Sequence, residues 1–242
     1  LYSLFLLKGD RMKGKFFGIG VGVGDPDLIS YKAVKILKQI DYIVLPEAVK
    51  GEGSVAFEIA KKFLNEKVQK IFLEFPMIKE LEKKIEIRKN NAKIISEYLE
   101  KGDNVAFLTI GDPMTYSTYS YVLEYLKAYE VETIAGITSF SSIASRLNIP
   151  LVLGNEDLKI ISVSKDTDFQ KEFENNDNIV FMKISRNLDK IKSEIKRLNY
   201  EKNIVLVSNC GKENEEIYYD LEKIEEVPYF STLIFKKGGF YE

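Results

Sequence analysis

Apolar runs of strand length alternate with helically spaced segments through the first 135 residues, and that alternation most narrows the folds open to this chain. Strands are predicted at 15–21, 42–45, 68–73, 104–109 and 131–134, and helices at 31–40, 54–64, 79–99 and 116–126. Ala33, Val34, Leu37 and Ile40 share one helical face, and Val55, Ile59 and Phe63 share another. In the long helix Leu81, Ile85, Ala92, Ile95 and Leu99 form the apolar face, while the charges from Glu80 to Lys93 form its solvated side. Short apolar strands joined by helices require a mostly parallel sheet covered on both faces. The second half differs. Strands at 158–163, 178–182 and 203–207 are separated by helical stretches, but those at 216–220 and 231–235 have no helix between them. Antiparallel pairing at the end, and hence a mixed sheet, is expected there. The fold class is α/β with two domains, 12–135 and 136–242, joined tightly near 135–140 because no Pro- or Ser-rich linker intervenes.

Composition removes whole classes of chemistry. The chain has 242 residues and no histidine, which excludes a histidine triad, an HExxH zinc site and a histidine proton shuttle. No metal site is expected. A single cysteine, Cys210, allows no intrachain disulfide and fits a reducing, cytoplasmic setting. The net charge of -2 gives no global footprint for nucleic acid. No apolar run reaches the ~20 residues needed to span a bilayer. Residues 1–11 are read as a non-native or disordered extension, since Lys8-Gly9-Asp10-Arg11 before Met12 resembles a translated ribosome-binding site.

Chemistry is expected in three loops, each following a strand. Gly18, Gly20, Gly22 and Gly24 alternate into Asp25-Pro26. Glycine there lets backbone approach a ligand closely. The dinucleotide pattern GxGxxG fails, because none of Val23, Asp25 and Asp27 is glycine, and an acidic neighbour repels a pyrophosphate. The second loop, 109–119, carries Gly111-Asp112-Pro113. Two Gly-Asp-Pro loops at the carboxyl ends of parallel strands share the rim where α/β proteins bind ligands. Their carboxylates suit a cationic, hydroxyl-rich ligand such as a sulfonium nucleoside, although Asp112 alone equally suits a helix cap. The third loop, Ala135-Gly136-Ile137-Thr138-Ser139, places hydroxyls where they either cap a helix or bond an adenosyl group.

In this order and spacing the three loops resemble the tetrapyrrole methylase family, from about Gly18 to the C-terminus. GDPMTYSTYSY at 111–121 and PYFSTLIF at 228–235 look like the branch that methylates carbon 20 of precorrin-2 or cobalt-factor II in cobalamin biosynthesis. The resemblance implies the class III methylase arrangement of two α/β domains with S-adenosyl-L-methionine in the cleft between them, S-adenosyl-L-homocysteine as product, and a homodimer. Carried over by position, it implies cofactor contacts at Val23, Gly111, Asp112, Tyr116, Thr138, Ser139, Met182 and Gly211. The chain departs from the family pattern at Val23 and Ala135, where proline is usual, so these loops are expected to be less rigid.

Methyl transfer from a sulfonium is an in-line displacement in which the cofactor carries the reactive group and the protein supplies position. An electron-rich carbon between two pyrroles needs no protein nucleophile, only a proton acceptor. Asp112, Tyr116 and Tyr119 are the candidates, with Tyr121 beside them. The tetrapyrrole's carboxylates call for basic side chains, and Arg88, Arg146 and Arg186 are candidates by residue type. The rival readings are a methylase of this fold acting on another ring carbon or on RNA, and a nucleotide-dependent oxidoreductase. The Lys-, Ile- and Asn-rich composition leans toward a substrate that already holds cobalt.

Overall fold

The computed structural model describes residues 12–47, 51, 53–76 and 78–240; the expected extension at 1–11 lies outside them. The chain divides into two compact units. The first runs up to Gly22 and resumes over Pro26–Ile137, and the second takes Val23–Asp25 with the residues from Thr138 onward.

The first unit is built from β1 (Phe16–Gly20), α1 (Tyr31–Leu37), β2 (Tyr42–Glu47), α2 (Val55–Ala60), β3 (Gln69–Glu74), α3 (Leu81–Leu99), β4 (Val105–Thr109), α4 (Tyr119–Leu123) and β5 (Val131–Ile134). The strands pair in parallel in the order β3-β2-β4-β1-β5. Every residue of the central strands β1 and β4 is buried, whereas the edge strand β3 alternates exposed and buried positions along most of its length. Side chains along β1 and β4 sort by parity. Phe17, Ile19, Ala106 and Leu108 pack with α1 and α2, and Phe16, Val105 and Phe107 pack with α3 and α4. Ser30 and Ser54 cap α1 and α2 by accepting from Ala33 N and Phe57 N.

Two expected helices differ here. The apolar face of α3 is buried at Ala92, Ile95 and Leu99, but Leu81 is exposed and Ile85 only half-buried. A helix of 19 residues is about 28 Å long, while strands of six residues reach only about 20 Å. The first turns of α3 therefore overhang the sheet. The helix predicted from Tyr116 instead begins at Tyr119, because Tyr116 takes a left-handed φ of 51° and the Ser117 hydroxyl accepts from Tyr119 N at 3.1 Å.

The second unit contains α5 (Ser139–Leu147), β6 (Leu158–Ser162), α6 (Phe169–Asn175), β7 (Asn178–Met182), α7 (Leu188–Arg197), β8 (Ile204–Ser208), β9 (Glu216–Tyr218) and β10 (Ser231–Lys236). Its order is β6-β7-β10-β8-β9, with β6 and β7 parallel and the other pairs antiparallel. The mixed sheet is as expected, but its last two strands do not pair with each other. β10 inserts between β7 and β8, since all six of its residues are buried and so suit the centre, while the three-residue β9 takes the edge. Phe169, Phe173, Phe181, Ile191, Leu206, Leu233 and Phe235 form the core on one face. On the other face α5 meets β10 through a 3.1 Å hydrogen bond between the Ser139 and Thr232 hydroxyls. Among the described residues no helix is long and apolar enough to cross a membrane.

Candidate functional site

In the first unit the three loops meet at the carboxyl ends of β4, β1 and β5, which are neighbours in the sheet. Their contact is backbone against backbone. A Cβ added to Gly136 would stand 2.0 Å from Gly111 O and 2.7 Å from Gly20 Cα, and one added to Gly20 would stand 2.6 Å from both Gly111 O and Gly136 N. Gly111 N donates to Gly22 O at 2.8 Å. Gly22 itself has a φ of 73° and open space where a Cβ would point. At Gly20 and Gly136 the missing side chains make way for neighbouring main chain, while at Gly22 the main chain is bare with open space beside it, which suits a ligand that must approach closely.

Asp112 organises this rim. Its Oδ2 accepts from Gly136 N at 3.1 Å, fastening the second loop to the third. Its Oδ1 accepts from Met114 N at 2.9 Å and from the Thr115 hydroxyl at 3.4 Å, closing its own loop. The helix-cap reading fails, because α4 begins at Tyr119 and the carboxylate instead braces one loop against another. Ser117 bonds the Thr109 hydroxyl at 3.2 Å, and Ser120 donates to Pro113 O at 3.1 Å, so the rest of the loop is pinned as well. Met114 and Tyr116 remain exposed on it.

Tyr119 lies elsewhere. It is fully buried, stacked on Phe16, with its hydroxyl 2.7 Å from the Thr133 hydroxyl. Its ring fills the space a Cβ on Gly18 would need, at 2.2 Å. Burial pushes the phenol's pKa up, opposed by the bond to Thr133. This placement makes Tyr119 a packing residue and leaves Tyr116 and Tyr121 as the exposed tyrosines of the expected acceptors, Tyr121 with the Arg88 guanidinium over its ring. Tyr119→Phe is expected to cost about 1 kcal/mol of stability, the net worth of one hydrogen bond. Denaturant unfolding would show that loss.

In the second unit the residues assigned by resemblance sit at strand ends and at the start of α5. Thr138 caps α5, accepting from Ser141 N at 3.4 Å. Met182 ends β7. Gly211 follows β8 with a φ of 76°, and its N–H donates to Glu215 Oε2 at 2.6 Å. Val23 is buried, and a Cβ on its neighbour Gly24 would stand 2.3 Å from Gly211 O. Of the arginine candidates, Arg146 donates to Glu215 Oε1 at 2.8 Å and is spent on that pair.

Because β10 runs antiparallel to β7 and β8, its start lies on the same rim as their ends. There the structure adds residues that the sequence did not single out. Lys183 follows β7 in a left-handed conformation, and burial lowers its pKa. Lys212 lies 4.1 Å from the Phe230 ring centroid, and burial lowers its pKa too. Tyr229 packs edge-on against Phe230, its pKa raised by burial and lowered in part by the Arg186 charge. The only sequence signal was the aromatic pair in PYFSTLIF; the lysines come from strand ends far apart in the chain.

The family model for Tetrapyrrole (Corrin/Porphyrin) Methylases matches residues 15–225. The chain belongs to this family. It is 38% identical over 237 residues to the probable cobalt-precorrin-2 C(20)-methyltransferase of Methanocaldococcus jannaschii, covering 94% of this chain and 98% of that protein. It is 29% identical over 235 residues to the cobalt-precorrin-2 C(20)-methyltransferase of Salmonella typhimurium, covering 95% and 99% of the two. Its fold is similar to that of uroporphyrin-III C-methyl transferase from Thermus thermophilus, solved as a complex with S-adenyl homocysteine. The TM-score is 0.65 at 20% identity, covering 93% of this chain and 98% of that one.

Proposed function

We propose that this tetrapyrrole methylase transfers a methyl group from S-adenosyl-L-methionine to carbon 20 of cobalt-precorrin-2 in cobalamin biosynthesis. The observation that carries the reading is the 38% identity, along nearly the whole length of both chains, to a relative named for that reaction. The open space beside Gly22, a glycine with positive φ, supports it, since a nucleoside cofactor needs close approach to main chain. Cofactor contacts are assigned to Gly111, Asp112 and Tyr116 in the first unit and to Val23, Thr138, Ser139, Met182 and Gly211 in the second.

When bound, the cofactor supplies a methyl group on a sulfonium. The protein's part is placement, and holding the reacting atoms in line can account for roughly 7–11 kcal/mol of the barrier. Asp112 fixes the relative position of two loops through Gly136 N. The proton that leaves carbon 20 needs an acceptor, and Tyr116, half exposed on the braced loop, is the residue assigned to it. Lys183, Arg186 and Lys212 suit the carboxylates of the tetrapyrrole, and Tyr229 and Phe230 suit its ring. A cytoplasmic homodimer completes the reading; sedimentation at the monomer mass would remove the dimer.

Calorimetry should show binding of S-adenosylhomocysteine and none of NAD or NADP. Methyl transfer assayed with precorrin-2, with and without cobalt, should favour the cobalt form. Binding of a dinucleotide alone would overturn the methyltransferase reading. The two lysines add a pH signature. Their lowered pKa values mean the cationic form is lost at a lower pH than for a solvated lysine. Substrate affinity should therefore fall, as pH rises, at a lower pH than solvated lysines would give. In Lys183→Met the neutral affinity should drop and the alkaline fall should shrink, as read by absorbance titration.

A further inference from the structure

A pocket opens on the first unit's rim, under the overhanging turns of α3. Phe75, Pro76, Lys84, Ile87, Arg88 and Thr118 line it, around about 350 Å³ of space counting its mouth. Phe75 and Pro76 follow β3 directly, and Thr118 belongs to the loop after β4. All five strands are parallel, so this pocket lies on the same rim as Asp112. Lys84, Ile87 and Arg88 fall at i, i+3 and i+4 on α3 and so share one face. The Arg88 guanidinium carbon stands 3.6 Å from the Tyr121 ring centroid. Among the described residues neither Arg88 nor Lys84 has a carboxylate within ion-pair distance, in a chain whose acidic residues outnumber its basic ones by 37 to 35. A guanidinium stacked on an aromatic face keeps its N–H edges for a planar acceptor.

We infer that this pocket takes one carboxylate-bearing side arm of the tetrapyrrole substrate, its methylenes against Phe75, Pro76 and Ile87 and its carboxylate between Lys84 and Arg88. The inference rests on the tetrapyrrole reading above. It makes Lys84 and Arg88 determinants of substrate affinity at a distance from the glycine rim, and gives the overhang of α3 a purpose that packing does not.

The test titrates wild type, K84A/R88A and R88K with the precorrin-2 chromophore by absorbance, without methyl donor, and with S-adenosylhomocysteine by calorimetry. The double variant should bind the chromophore about 10- to 100-fold more weakly, as expected for losing charge-assisted hydrogen bonds. R88K should recover part of that loss, because lysine keeps the charge but not the fork. S-adenosylhomocysteine should bind all three alike, which also reports that they are folded. The chromophore with its carboxylates esterified should bind wild type and double variant equally. Undiminished chromophore affinity in the double variant would overturn the inference. A fall in S-adenosylhomocysteine affinity would do so too, by giving the pocket to the cofactor's own carboxylate. Wild type that binds S-adenosylhomocysteine but not the chromophore would overturn the tetrapyrrole reading itself.

Discussion

Asp112→Ala is expected to weaken S-adenosylhomocysteine binding by up to about 100-fold and to lower the stability of a protein that still folds. The carboxylate accepts two backbone N–H bonds, from Gly136 at 3.1 Å and from Met114 at 2.9 Å. Bonds to a charged group contribute about 1.5–3 kcal/mol each. Losing both frees the second loop from the third; even the lower figure doubled is about 3 kcal/mol of stability, and if binding must restore that order the loss of affinity is at most roughly two decades. Asp112→Asn should lie between, since the amide oxygen can keep one bond while its NH2 faces the other donor. Calorimetry separates this brace from a proton acceptor. If Asp112 removed the proton itself, Asp112→Asn would lower kcat and leave S-adenosylhomocysteine affinity at the wild-type value.

Gly136→Ala is expected to lower the thermal midpoint by about 10 °C or to prevent folding. The new methyl would stand 2.0 Å from Gly111 O and 2.7 Å from Gly20 Cα, and both neighbours are main chain. Overpacking usually costs about 1–3 kcal/mol, with larger values where nothing can swing aside. At about 2–4 °C per kcal/mol for a chain of this size, the upper end gives the stated shift. Gly238→Ala is the control, because a Cβ there meets nothing within 4 Å and its midpoint should stay within a degree or two. Should Gly136→Ala melt like the control, the close packing of the three loops would be refuted.

Much of the first unit was legible because its burial is periodic. The five predicted strands appear, with the parallel pairing that helical crossovers require. The errors fall where sequence carries no local signal. Leu81 and Ile85 fit the helical period yet rise above the sheet, since periodicity gives a helix its face but not the length of what it packs on. Tyr116 reads as a helix start until the Ser117 hydroxyl takes Tyr119 N. The antiparallel pairing expected at the end is present, but β10 pairs with β7 and β8 and not with β9, its neighbour in sequence, because full burial sends it to the centre of the sheet.

The candidate site divides along the same line. The sequence alone marked the loops, their residues and the family, because glycines and aspartates after apolar strands are local patterns. It could not say what each residue does there. Tyr119 and Tyr116 look alike in GDPMTYSTYSY, yet one is fully buried beneath Gly18 and the other exposed on the rim. Asp112 reads locally as a helix cap, yet it braces two loops, because its partner Gly136 lies 24 residues on. Lys183 and Lys212 gained lowered pKa values only through burial that strands distant in sequence create. Local patterns specify elements and loops; burial, register and the carboxylate's second partner depend on which elements become neighbours, and that is settled only when the chain packs.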